Sequence, residues 1–149
     1  ARAAAEARAA AEAREQSTII EMAIRKRLNN PRGNLTQANL EKVTYGGFNF
    51  TNLNDKGLKE VAVKLPKLIR LDLRGTQTTD AGLKEVVKLQ QLFTLDLRNT
   101  QITDAGLKEL ANLKQLKMLG LSDTKVTKAS VTELQKALPK CNISHNAKN

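Results

Sequence analysis

The sequence predicts an α/β right-handed solenoid: a parallel sheet lines a concave face, helices cover the convex side, and an additional helix precedes the coil. Three observations predict it. The first is a period of about 24 residues. Leu68-x-x-Leu71-x-Leu73-x-x-Thr76-x-Thr78 returns as Leu92-x-x-Leu95-x-Leu97-x-x-Thr100-x-Ile102, and again as Leu116-x-x-Leu119-x-Leu121-x-x-Thr124-x-Val126. The second is alternation within each copy. In Leu71-Asp72-Leu73-Arg74, a strand places leucines on one face and charges on the other. The third is a helical segment after each strand. Leu83, Val86, Val87 and Leu89 follow Asp80 at helical spacing, as Leu107, Leu110 and Leu113 follow Asp104, and Leu58, Val61 and Leu65 follow Asp55. Each aspartate reads as a helix N-cap. One strand–helix unit cannot bury its own apolar side, so the copies must stack.

In chain order, residues 1–17 are rich in Ala, Arg and Glu and strongly helix-forming, with i,i+4 pairs Arg2–Glu6 and Arg8–Glu12 but no large apolar stripe. They read as a helix or linker, or as an oligomerisation or anchoring helix. Residues 18–43 read as a helical cap. Thr18-Ile19-Ile20-Glu21 has capping-box spacing and predicts a helix restart. Ile20, Ala23, Ile24 and Leu28 form an apolar stripe, Asn29-Asn30-Pro31 stop the helix, and Thr36 caps a short helix running to about Lys42.

Residues 44–149 hold the repeats. The first copy is degenerate, Val43-x-x-Gly46-x-Phe48-x-x-Thr51-x-Leu53. Gly46 stands at a core-leucine position and Gly47 follows, which predicts a bulge or a close backbone approach. In the last repeat, Lys128 and Ser130 replace the usual Asp and Gly, and Ser130-x-x-Glu133 predicts a later helix start. Leu138-x-x-Cys141-x-Ile143 reads as a closing half-repeat, with Cys141–Ser144 as the edge strand. Cys141, the single cysteine, reads as a small core residue, and His145 as a solvent-facing tail residue.

These motifs resemble the leucine-rich repeat family, especially short bacterial forms that carry Thr-Asp-Ala-Gly-Leu-Lys-Glu in each repeat, here Thr79–Glu85 and Thr103–Glu109. The stretch Ala23–Val43 looks like the helical cap that often precedes such repeats. The resemblance implies a non-enzymatic scaffold that binds protein partners. The family usually has asparagine where this chain has Thr51, Thr76, Thr100 and Thr124; a threonine ladder is the structural reading of that departure.

The formal charge of +10 raises the question of nucleic acid. The basic residues are dispersed, however: Lys59, Lys84 and Lys108 each precede a glutamate, as on a solvated helix face. The densest cluster, Arg25-Lys26-Arg27 with Arg32, sits at a helix end, where cations suit the dipole. With aromatics at 3%, no stacking platform accompanies it. No apolar run has membrane-spanning length. No metal-ligand spacing, phosphate-binding loop or nucleophile–base pair appears, so the sequence points to no enzyme and no cofactor.

Alternation and stacking instead assemble a concave face in three rows. The first is Tyr45, Arg70, Thr94, Met118, Lys140; the second Gly47, Asp72, Asp96, Gly120, Asn142; the third Asn49, Arg74, Arg98, Ser122, Ser144. The candidate binding residues are Arg70, Asp72, Arg74, Thr94, Asp96, Arg98 and Met118. Their aspartates and arginines form either a self-compensated charge lattice or a recognition patch. Five strands at the usual spacing span about 19 Å, enough for a loop, a short peptide or one helix of a protein partner. The alternative function is that of a structural subunit or appended domain of a larger assembly, attached through the N-terminal helix.

Overall fold

The computed structural model describes residues 1–148. Helix α1 (Arg2–Leu28) and the short α2 (Gln37–Glu41) lead into strand–helix units: β1 (Tyr45–Gly47) and α3 (Asp55–Lys64), β2 (Arg70–Asp72) and α4 (Asp80–Val86), β3 (Thr94–Asp96) and α5 (Asp104–Leu107), β4 (Met118–Gly120) and α6 (Lys128–Ala137), then β5 (Asn142–Ser144). The strands form one parallel sheet in chain order, with the helices on its other side: a leucine-rich-repeat solenoid. Leu71, Leu95, Leu119 and Ile143 stand in register across it, with Gly46 at the first strand. Around them Leu68, Leu73, Leu83, Leu92, Leu97 and Leu107 are fully buried in one continuous core.

The aspartates are not N-caps. Helix α4 is preceded by Thr79 and α5 by Thr103, neither with a side-chain cap bond. Each Asp carboxylate instead reaches forward into the next repeat. Asp80 accepts the Thr103 N–H at 2.8 Å and also the Thr103 hydroxyl. Asp55 accepts the same two groups from Thr79, and Asp104 from Thr127. A Cβ at Gly82 or Gly106 would collide with the Asp55 or Asp80 carboxylate, so the glycine of the Thr-Asp-Ala-Gly motif makes room for the preceding repeat's clasp. The threonines at the asparagine positions act within their own repeat: the hydroxyls of Thr51, Thr76, Thr100 and Thr124 donate to the carbonyls of Phe48, Leu73, Leu97 and Leu121 at 2.6–2.7 Å. They tie each turn shut rather than laddering between turns.

Gly46 does not produce a bulge. β1 pairs regularly with β2, and the space a leucine would fill is occupied by the fully buried Phe48 ring; a Cβ on Gly46 would lie 3.0 Å from that ring. The two residues exchange volume along the same inward face. In the third unit α5 tightens after one turn into a 3-10 helix, Lys108–Asn112. In the last, α6 starts no later than its predecessors: Thr127 caps it, accepting the Ser130 N–H at 3.3 Å.

The final strand is shifted by two residues from the expected register. Met118 faces Asn142 and Gly120 faces Ser144, rather than Lys140 and Asn142. The period itself sets the register: Ile143 stands 24 residues after Leu119, as Leu119 does after Leu95 and Leu95 after Leu71, so Ile143 rather than Cys141 continues the inward row. Leu138 ends α6 as Leu65 ends α3, and the Cys141 N–H turns back to the Leu138 carbonyl as the Leu68 N–H does to Leu65. Cys141 is buried, and burial pushes its thiol up from the ordinary cysteine value.

Helix α1 runs through Thr18 without a break, because that hydroxyl donates back to the Arg14 carbonyl at 2.8 Å. The helix ends at Asn29 in the left-handed region (φ 52°), with the Asn30 N–H closing onto the Arg25 carbonyl. Its buried Ile20 and Ile24 seal the first face of the core. Upstream of them, the buried Gln16 accepts the Asn54 N–H at 2.9 Å and donates to the Asn52 carbonyl at 3.0 Å. Glu12 takes Asn54 Nδ2 and Lys56 Nζ, both at 2.8 Å, and the Lys56 hydrogen bond holds its carboxyl below the usual range. Residues 1–11 are all exposed.

Two outcomes test this construction. Leu95 is completely buried, and Leu95→Ala should cost about 2–5 kcal/mol in denaturant unfolding; an unchanged midpoint would contradict the repeat register. Asp80→Ala strips the Thr103 N–H and hydroxyl of their acceptor and should cost about 1–3 kcal/mol. Glu41→Ala, an exposed carboxylate at the end of α2, should stay within about 0.5 kcal/mol.

Candidate functional site

The outer face of the sheet is built by side chains that alternation turns away from the core. Two adjoining depressions occupy it. One, about 280 Å³, is lined by Tyr45, Arg70, Asp72, Arg74, Thr94, Asp96 and Arg98. The other, about 260 Å³, is lined by Thr94, Asp96, Arg98, Met118, Gly120 and Asn142, among others. All seven residues singled out from the sequence therefore lie on this surface.

Its centre is a chain of ion pairs. Asp72, almost fully buried, is gripped by Arg74 through Nε at 2.9 Å and Nη2 at 2.7 Å. Asp96 and Arg98 repeat the fork at the same distances on the next strand. Arg74 also reaches Asp96 at 3.5 Å, which links the two pairs across the sheet. Each arginine is held above its ordinary value, first by the hydrogen bond to its own aspartate and then by that charge. Within the lattice each carboxylate is thus compensated by a guanidinium of its own repeat. Its carboxylates are tied up by guanidinium forks, an arrangement unsuited to general acid–base work. Gly120 ends the aspartate row; a Cβ there would sit 2.9 Å from the Asp96 carboxylate.

The N-terminal end of the face differs. Arg70 does not join the lattice. Its guanidinium carbon lies over the Tyr45 ring at 5.5 Å, and Arg27, from the last turn of α1, lies over the same ring at 5.3 Å. Gly47 permits this: the Tyr45 ring rests where its side chain would be, 3.2–3.3 Å from an added Cβ. So the second glycine of the degenerate repeat seats an aromatic side chain.

Sequence reasoning missed the part played by the aromatics. The chain has three phenylalanines and one tyrosine. Phe48 is in the core, but Tyr45 is on the concave face, and Phe50 and Phe93, 68% and 46% exposed, follow β1 and precede β3 on its two margins. Phe50 has φ 58°, a left-handed conformation that Gly75, Asn99 and Asp123 hold in the following repeats. A bulky residue pays a steric penalty there. Its ring packs on Gly75, with the Arg74 guanidinium 5.9 Å away. The available signal was scarcity itself: four aromatics in all, with three outside core positions.

On the convex side, a groove of about 350 Å³ runs between the 3-10 helix and α6, lined by Ala111, Leu134 and Ala137 with Lys108 and Glu133 at its rim. Among the described residues, no three His, Cys, Asp or Glu side chains gather to hold a metal, and no helix is long and apolar enough to cross a membrane. His145 is exposed, its ring nitrogen accepting the Ala147 N–H.

A family model for the leucine-rich repeat matches residues 91–111. No curated protein matches the chain. Among solved structures the chain is similar to an internalin of Listeria monocytogenes, at 20% identity and a TM-score of 0.65, over 90% of this chain and 46% of that one. It is also similar to a leucine-rich repeat protein of Leptospira interrogans, at 24% identity and a TM-score of 0.50, over 74% of this chain and 34% of that one. The chain spans less than half the length of either protein, and at these identities the likeness is one of fold: a leucine-rich-repeat solenoid.

Proposed function

We propose that the protein is a non-enzymatic interaction module that binds a protein or peptide partner on its concave face, through Arg70, Asp72, Arg74, Thr94, Asp96, Arg98 and Met118. The observation that carries this reading is the bare outer face of a parallel sheet. Parallel sheets are ordinarily covered on both sides. Here the helices cover one side only, and the other presents a half-exposed Met118, a preformed ion-pair lattice and flanking aromatics. Rigid polar groups beside exposed Met and aromatic side chains are what partner binding draws on.

A phage-displayed peptide library panned on the immobilised chain tests it. Enriched peptides should lose at least about tenfold in affinity to Thr94→Lys with Met118→Asp. They should be unaffected by Lys84→Glu with Lys108→Glu on the convex side. Peptides that lose binding only to the convex pair, which includes the rim of the α6 groove, would move the binding surface to the other side.

A second reading, attachment to a larger assembly through α1, is supported by the exposure of residues 1–11, the end of α1 that extends without packing on the repeats. If they serve self-association, light scattering should show the full chain larger than a monomer and a chain lacking residues 1–11 monomeric, with equal melting temperatures. A full chain that is monomeric at all concentrations would remove self-association.

A further inference from the structure

We propose that Arg27, Arg70 and Tyr45 form a carboxylate-binding site, and that the partner's segment seated there is acidic. The proposal rests on the concave-face reading above and adds the chemistry of the ligand. It begins from a contrast between arginines on one surface. Arg74 and Arg98 spend their forks on Asp72 and Asp96. Arg27 and Arg70 are both exposed, and among the described residues neither has a salt-bridge or side-chain hydrogen-bond partner. Their only side-chain contact of this kind is the Tyr45 ring. A cation–π contact takes up none of a guanidinium's N–H donors, the groups that grip a carboxylate two at a time.

The site is also held still. The Tyr45 ring is wedged over Gly47. Arg27 projects from a helix turn anchored by the buried Ile24 and tied down by Arg25, which donates to the Gly33 carbonyl at 2.8 Å. Arg70 comes from β2, paired with Tyr45 in the sheet. Both arginines thus project from anchored backbone toward one ring, which lowers the ordering cost of binding. Two cations share one ring with no carboxylate paired to either, in a chain of net charge +10. That electrostatic imbalance is relieved by an anion from outside. A nucleic-acid base finds no open stacking surface, because the ring that would supply it already carries both guanidiniums. Neighbouring acidic side chains of a peptide suit two planar forks on one ring.

The probe is fluorescein-labelled hexaglutamate, read by fluorescence anisotropy, with hexalysine and a twelve-nucleotide single-stranded DNA for comparison. Hexaglutamate should bind, and Arg27→Gln with Arg70→Gln should weaken it by about tenfold or more. Arg8→Gln with Arg14→Gln, an equal charge change on the exposed part of α1, should leave it within about twofold. Arg27→Lys with Arg70→Lys keeps the charge but removes the planar fork and should fall between, and this pair decides the matter if the glutamine pair does not fold. Equal losses from both glutamine pairs would mean diffuse attraction to a basic protein and would overturn the site. So would DNA that binds more tightly than hexaglutamate with the same dependence on Arg27 and Arg70. If hexaglutamate binding ignores Arg27 and Arg70 while library peptides still require Thr94 and Met118, the carboxylate site falls and the concave-face reading stands. If library peptides ignore Thr94 and Met118, the concave-face reading falls as well.

Discussion

The structure depends on a carboxylate that leaves its own repeat. Hydrophobic stacking draws strand–helix units together but does not fix how one is placed on the next, because leucine against leucine tolerates sliding. The clasp from Asp55 to Thr79, Asp80 to Thr103 and Asp104 to Thr127 supplies that placement. It satisfies a backbone N–H at the start of each helix, where no intrahelical acceptor exists, and does so from the neighbouring unit. The glycine three residues after Thr79 and Thr103, Gly82 or Gly106, is the other half of the device, since a Cβ there would meet the carboxylate; in the last joint Ser130 holds that place and Asp104 still reaches Thr127. Thr-Asp-Ala-Gly is thus a joint between repeats rather than a helix-start signal.

The same joint explains how the solenoid begins. The first repeat has no preceding repeat to offer an aspartate, yet Asn54 occupies the position of Thr79 and its N–H needs an acceptor. Gln16 of α1 provides the side-chain oxygen, and a Cβ on Gly57 would collide with it as one on Gly82 would with Asp55. Helix α1 therefore ends the stack in two ways at once: Ile20 and Ile24 cover the leucine face, and Gln16 completes the clasp. At the other end Lys128 holds the aspartate position, and Thr127 turns its hydroxyl to its own helix as a cap while still meeting Asp104.

On the concave face, the stacking that aligns the leucines also aligns their polar neighbours. Like charges from adjacent strands are brought side by side, and the Asp72–Arg74 and Asp96–Arg98 forks neutralise them within each strand. That leaves a stiff polar centre with little unmet electrostatic demand. The unmet demand lies at the N-terminal end, where the degenerate repeat has lost its aspartate and leucine to Gly47 and Gly46, and where Arg70 and Arg27 share Tyr45 instead. The departure of the first repeat from the consensus is what makes that end chemically different from the rest.

The sequence by itself determined the parallel sheet, the inward leucines and the identity of the concave row from Arg70 to Met118, because each follows from a period and an alternation that local residues carry. It also marked the end of α1 at Asn29 and the cap at Thr36, both matters of a few adjacent residues. Tertiary structure decided where those signals compete with contacts from elsewhere in the chain. Asp80 was free to cap its own helix and instead serves the next repeat, because a neighbour's N–H and hydroxyl together offer more than one local bond. Thr18 and Ser130 had capping spacing but sit within helices that packing carries through. The last strand was misplaced by two residues because Cys141-x-Ile143 mimics the Leu-x-Leu of a strand, although the 24-residue period from Leu71, Leu95 and Leu119 lands on Ile143. The stacking of Arg27 and Arg70 on Tyr45 had no local signal at all: its members lie in separate elements, and only the docking of α1 against the first repeat brings them onto one ring.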